Sequence, residues 1–190
     1  MDPTKMLEAD HRHVEALFHA IEEAEGDDRM PLVDELSTAL RAHMELEERV
    51  VYPAMEPVTG AETVEEGNKE HELARKVLSD VLELAPDEPG FGAALDATKA
   101  AIAHHVEEEE TEVFPQLRKD GDVLDRMSTP FMTTRLELGL IVDADALADS
   151  STKDELLAEA RNAGVDGAGS MNKEELAEAL AGVMGATSGS

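Results

Sequence analysis

Apolar residues recur at spacings of three and four over four long stretches, and a few polar residues fall inside that rhythm at fixed places. The first stretch runs from about Pro3 to Glu25, with Asp2 as a plausible N-cap and Pro3 at the first helical position. Its inward stripe reads Leu7, His11, Val14, Phe18, Ile21. The second runs from Pro31 to about Tyr52, before Pro53, with Val33, Leu36, Leu40, His43, Glu47 and Val50 inward. The third runs from Glu62 to Leu84, with Val64, Gly67, His71, Ala74, Leu78 and Val81 inward. The fourth runs from Phe91 to Arg118, with Phe91, Leu95, Thr98, Ile102, His105, Glu109 and Val113 inward. One seam per helix and shortish connections predict an all-α fold, an up-down-up-down four-helix bundle over residues 1–118.

The pattern changes after Lys119. Asp120-Gly121-Asp122 reads as a break and Pro130 interrupts the apolar residues beyond it, so residues 119–150 are expected to be a linker with short helices. Residues 151–183 read as a small helix–turn–helix module, capped by Ser151 or Thr152 and stopped at Gly164. Residues 184–190 read as a disordered tail.

Composition narrows the function. The chain has 190 residues, 16 Lys+Arg against 44 Asp+Glu, and a formal net charge of −28. That charge opposes phosphate backbones and anionic membranes, so neither nucleic acid nor membrane is an expected partner. With no Cys there is no disulfide, Fe–S cluster or thiol nucleophile. The polar N-terminus lacks the apolar core of a signal peptide, which gives an expectation of a cytoplasmic protein.

The chemistry lies in the polar residues of the seams. His11, His43, His71 and His105 occupy inward positions on four different helices, and Glu47 and Glu109 follow His43 and His105 by four residues. An i, i+4 pair shares one helix face. Two carboxylates facing each other in an apolar interior are costly, and two cations between them reverse that sign. Mixed imidazole and carboxylate donors suit iron or manganese, and also zinc. A lone helical His is usually a surface or hydrogen-bonded residue, and His13, His19 and His104 fit that description. The run Glu107–Glu110 reads as a solvated face apart from Glu109, and His105 is preferred over its neighbour His104 because its seam is more apolar. The two halves also repeat: Asp10-His11, His43–x3–Glu47 and Tyr52-Pro53 correspond to Glu70-His71, His105–x3–Glu109 and Phe114-Pro115.

These motifs, with Val14, Glu48 and Glu110, make the chain resemble the hemerythrin family, in particular domains of the hemerythrin HHE cation-binding type, over about residues 3–118. The resemblance implies a non-haem centre of two iron ions, oxo-bridged after exposure to air, with manganese or zinc less favoured. It implies His11, His43, His71 and His105 as terminal metal ligands and Glu47 and Glu109 as bridges. Small ligands such as O2, NO or peroxide are then the expected partners. Oxygen-carrying members have a fifth His one turn after the third-helix His; here that position is Arg75, which stays protonated. His104, another acid or Tyr52 could take its place.

The C-terminal segment resembles Rho N-terminal or SAP-like helical modules, but its turn, Val165 to Ser170, has no basic residue. A protein contact through residues 151–183 is therefore expected ahead of DNA binding. Three functions compete: a metal protein handling or sensing O2, NO, peroxide or iron; an enzyme turning over peroxide, NO or Fe2+; and a sensor-adaptor whose residues 120–190 could be removed without loss of metal.

Overall fold

The computed structural model describes residues 1–140 and 142–187, and the described residues are helical with no strand. Helix α1 spans Pro3–Glu23 and α2 spans Arg29–Leu46. A π-turn over Glu47–Val51 leads without a break into α3, Tyr52–Thr59. Helix α4 spans Ala61–Leu82 and α5 spans Phe91–Glu108. A second π-turn over Glu109–Val113 leads into α6, Phe114–Leu117. Beyond it come α7 (Gly121–Glu137), α8 (Ala144–Ser150), α9 (Lys153–Asn162) and α10 (Lys173–Thr187).

The Asp2 carboxylate caps α1 by accepting from the Thr4 N–H at 3.0 Å, and Pro3 costs nothing where no helical N–H is needed. The expected stop at Pro53 is not a stop. Proline has no N–H, and its ring crowds the carbonyl four residues back. Both π-turns resolve that conflict by widening the helix before the proline: the Tyr52 N–H bonds to the Glu47 carbonyl and the Phe114 N–H to the Glu109 carbonyl, five residues back. Each π-turn thus begins on one of the two inward glutamates.

The seams bury as their spacing predicts except at Val64, which is half-buried; α1 packs on α2, and α4 packs on α5. Two apolar clusters result. One gathers Val14, Phe18, Ile21, Leu36, Leu78, Phe91 and Ile102. The other gathers Met6, Leu7, Leu46, Phe114 and Leu117. Along each long helix the polar seam residues fall between them.

The C-terminal third is more ordered than expected. The stretch read as a linker holds α7, which is 17 residues long with Pro130 inside it, and α8. Val123, Met127 and Phe131 of α7, Leu147 of α8, Leu156 of α9 and Leu176 and Leu180 of α10 all join the cluster around Met6, Leu7 and Phe114. Thr152 and Glu155 form a capping box on α9, and Gly164 ends that segment at φ +74°. Helix α10 continues to Thr187, so the expected tail is helical there, and its last residues, 188–190, lie outside the described residues. The N-terminus is tied into this region. The Asp2 N–H donates to the Ser150 carbonyl at 2.6 Å, and the Met1 ammonium pairs with Glu155. Burial pushes the Glu155 carboxyl up, but that ammonium and Thr152 overcome it and hold it down to about 2. Among the described residues no helix is long and apolar enough to cross a membrane.

Candidate metal centre

His11 comes from α1, His43 from α2, His71 from α4 and His105 from α5, while Glu47 and Glu109 open the two π-turns. All six are buried, at 0 to 5% exposure. The structure brings them together as two groups that share Glu47: His11, His43, Glu47 and Glu109, and Glu47, His71 and His105. The His11 Nε2 lies 3.4 Å from Glu109 Oε2, and His43 Nε2 lies 3.3 Å from Glu47 Oε1. His71 Nε2 lies 3.1 Å from Glu47 Oε2, and His105 Nε2 lies 3.5 Å from Glu109 Oε2.

These contacts are not hydrogen bonds in geometry. His11 Nε2, His43 Nε2, both Glu47 oxygens and Glu109 Oε2 are buried without a hydrogen-bond partner. An interior that leaves five strong polar atoms unsatisfied is costly unless something else satisfies them. Donor atoms around an ion at about 2.1 Å lie about 3.0–3.4 Å from each other. The observed separations match that spacing, so the donor set fits cations.

Each imidazole is aimed inward by a carboxylate on its outer nitrogen. Glu110 Oε1 lies 2.9 Å from His11 Nδ1, Glu48 Oε1 2.9 Å from His71 Nδ1, and Glu70 Oε2 2.9 Å from His105 Nδ1. Asp10 Oδ2 lies 3.4 Å from His43 Nδ1. A carboxylate on one imidazole nitrogen fixes the tautomer that presents the other to a metal. Each of these carboxylates has its own cationic or imidazole partner. Arg12 holds Glu110, Arg75 holds Glu48 at 2.8 Å, His104 lies 3.4 Å from Glu70, and Arg135 grips both oxygens of Asp10. The Glu107–Glu110 run is therefore not a solvated face at Glu110. In the sequence Asp10 and Glu70 stood out in the repeat, and Glu48 and Glu110 in the family resemblance, without being assigned to the imidazoles, and Arg135 was missed altogether.

The halves repeat in their rings as well. His11 and His43 meet edge to face at 5.0 Å, His71 and His105 at 4.8 Å, both at 65°. Phe114 stacks on His11 and Tyr52 on His71. The repeat breaks at one atom, the Tyr52 hydroxyl, which lies 3.0 Å from His71 Nε2. It fits there because residue 67 is Gly: a Cβ would stand 2.6 Å from that oxygen. Of the groups considered for the place of the absent fifth His, Tyr52 reaches the centre. His104 points outward, 65% exposed, and Arg75 is spent on Glu48. Burial and the charges of Glu47 and Glu109 push the phenol well up, so it stays protonated.

Residues 2–117 match the model of the hemerythrin HHE cation binding domain. The chain belongs to that family. One curated relative is a DNA nickase from Nostoc sp., 21% identical over 141 residues; the match takes in 73% of this chain and 40% of the relative, so the chain spans under half its length. Among solved structures, the fold is shared with a hemerythrin HHE cation binding domain-containing protein from Mycobacterium kansasii at a TM-score of 0.60 and 21% identity. The likeness covers 95% of this chain and 99% of that one, so it takes in most of the helices after the HHE match.

In this HHE protein Arg135 links the later helices to the metal centre. It is 1% exposed, and its guanidinium lies 6.0 Å above the Phe131 ring. Burial pushes the Asp10 carboxyl up, but Arg135 and then His43 reverse this and hold it below its ordinary value. Arg135→Met would take from Asp10 the larger of its two counter-charges, an expected loss of about 3 kcal/mol in urea unfolding. It should also weaken metal binding about tenfold or more through His43. Unchanged stability would show that the pair is dispensable.

Proposed function

We propose that this protein is a non-haem di-iron protein that handles or senses O2, NO, peroxide or iron, built on an up-down-up-down four-helix bundle. The observation that carries the reading is the pair of ligand groups joined through Glu47, with buried donor atoms left unsatisfied between them. His11, His43, His71 and His105 would hold the ions, and Glu47 and Glu109 would bridge them. Such a pair supplies electrons and an open coordination position for a small ligand. The chain's own part is to aim the imidazoles through the four outer carboxylates and to keep bulk water out with apolar walls such as Phe18 and Ile102. The test is anaerobic addition of Fe2+ followed by air. Two irons per chain and the near-ultraviolet band of a coupled ferric pair are expected; a folded protein that refuses Fe2+ would sink the reading.

Proton balance gives a second check. Burial pushes His43 down, but the Glu47 charge and the Asp10 hydrogen bond outweigh it and raise the imidazole to about 10. His11 and His105 are raised in the same way, chiefly against burial by Glu109. Without metal the His43 imidazole keeps its proton at neutral pH, and a metal must displace it. Metal loading should therefore acidify a weakly buffered solution, and apparent affinity should rise with pH up to the raised imidazole values. Affinity independent of pH from 6 to about 9 would contradict this.

A catalytic reading is favoured by Tyr52. A phenol held protonated inside the centre can donate a hydrogen bond or proton to a bound ligand. Tyr52→Phe would then keep two metals and lose turnover of peroxide or NO, whereas a plain carrier or sensor would show no turnover to lose.

A further inference from the structure

Among the described residues, two clefts that reach the centre from solvent differ in charge. The larger, about 1050 Å³, arrives beside Asp10 and His43 and is lined by Lys5, Arg12 and Arg135 as well as by acids. The smaller, about 560 Å³, lies between α4 and the α5–α6 segment and arrives at His105, Glu109 and Tyr52. Its wall has Glu62, Glu66, Glu70, Glu108 and Glu112 and no Lys or Arg. At its floor Glu109 is 4% exposed, with Oε2 buried and lacking a hydrogen-bond partner.

Beside this acidic wall, Glu70, His104 and Glu108 bring three donor atoms within 4.8 Å of one another. His104 Nε2 is 3.4 Å from one Glu70 oxygen and 3.7 Å from Glu108, while the other Glu70 oxygen lies 2.9 Å from Nδ1 of His105. Glu70 thus faces the exposed triad with one oxygen and a residue of the centre with the other. Two carboxylates and an imidazole converging there form a donor set that suits a divalent cation.

We propose that the acidic cleft is the route by which divalent cations reach the centre, with Glu70, His104 and Glu108 as a docking site at its mouth. The inference rests on the dinuclear reading above and goes further, since it assigns a third cation site and a direction of loading. Low-dielectric walls lined with one sign of charge concentrate counter-ions and raise on-rates. The larger cleft sets Lys5, Arg12 and Arg135 against six acids, so its pull on a metal ion is the weaker of the two.

The test is the rate of Co2+ loading in stopped flow, read by the visible absorption of Co2+ held by imidazole and carboxylate. In the full chain the rate should saturate with Co2+ concentration, because docking precedes transfer. Glu66→Gln, Glu108→Gln and Glu112→Gln together should slow loading about tenfold at low salt, with the gap closing in high salt and two Co2+ still bound at the end. His104→Ala should move saturation to higher Co2+. A control with Asp80→Asn, Glu83→Gln and Asp87→Asn removes the same charge at and beyond the C-terminal end of α4, with Glu83 about 25 Å from Glu66 along its axis, and should load at the full rate. Loading of the cleft variant at the wild-type rate, or equal slowing in the control, overturns the route. A chain that takes up no Co2+ at all overturns the dinuclear reading itself, which separates the two failures.

Discussion

A Glu47→Ala protein is expected to hold at most one metal ion per chain, and to lose the rise in melting temperature that metal gives the parent. Glu47 belongs to both donor groups; the other donors in them belong to one each. It is fully buried, and neither oxygen has a hydrogen-bond partner. Burial pushes its carboxyl up, but His43, His105 and His71 overcome that and hold it well below its ordinary value, so it stays an anion. Metal that binds only the folded state at 100 times its dissociation constant adds about 2.7 kcal/mol of stability. That increment should vanish in Glu47→Ala. Glu48→Gln is the contrasting case: Glu48 touches His71 Nδ1 from outside, so both metals should bind with affinity reduced about 10- to 100-fold. Equal metal content in Glu47→Ala and parent would remove Glu47 from the centre.

The second large effect is expected from removing residues 120–190. On the adaptor reading that deletion leaves metal binding intact, and the packing argues the reverse. Met6, Leu7, Leu46, Phe114 and Leu117 are each 0% exposed and share one cluster with α7 to α10. Uncovering five such side chains costs on the order of 10 kcal/mol at about 1.5–3 kcal/mol each, as large as a typical total stability. The deletion also removes Arg135 from Asp10 and the Ser150 carbonyl from the Asp2 N–H. The fragment should aggregate or show little helix by circular dichroism, and bind no stoichiometric metal. A monomeric, helical fragment with two metals would establish the later helices as a separate unit.

The six inward polar residues could be read from the sequence because three-four spacing on four seams leaves few other places for them. Their partners could not. Asp10 and Glu70 precede an inward His, Glu48 and Glu110 follow an inward Glu, and a residue next to the seam points sideways, toward whichever helix packs there. Spacing along one helix does not say which. The signal was their repetition at matching places in both halves, which a solvated face has no reason to preserve. Prolines misled for a related reason. Pro53 and Pro130 read as stops because the rule assumes a regular helix, while a π-turn before Pro53 lets the helix continue. Arg135 was out of reach, being 125 residues from Asp10 along the chain and beyond a misread Pro130.

The chemistry proposed for this protein requires two metal ions in one centre, bridged by Glu47 and Glu109. Mössbauer spectroscopy of the chain loaded with two equivalents of 57Fe2+ and oxidised in air reads that bridge without an intermediary. High-spin ferric iron with a diamagnetic ground state is expected, because bridged ions couple antiferromagnetically. Magnetically isolated ferric sites, or iron that saturates at one per chain, would contradict it.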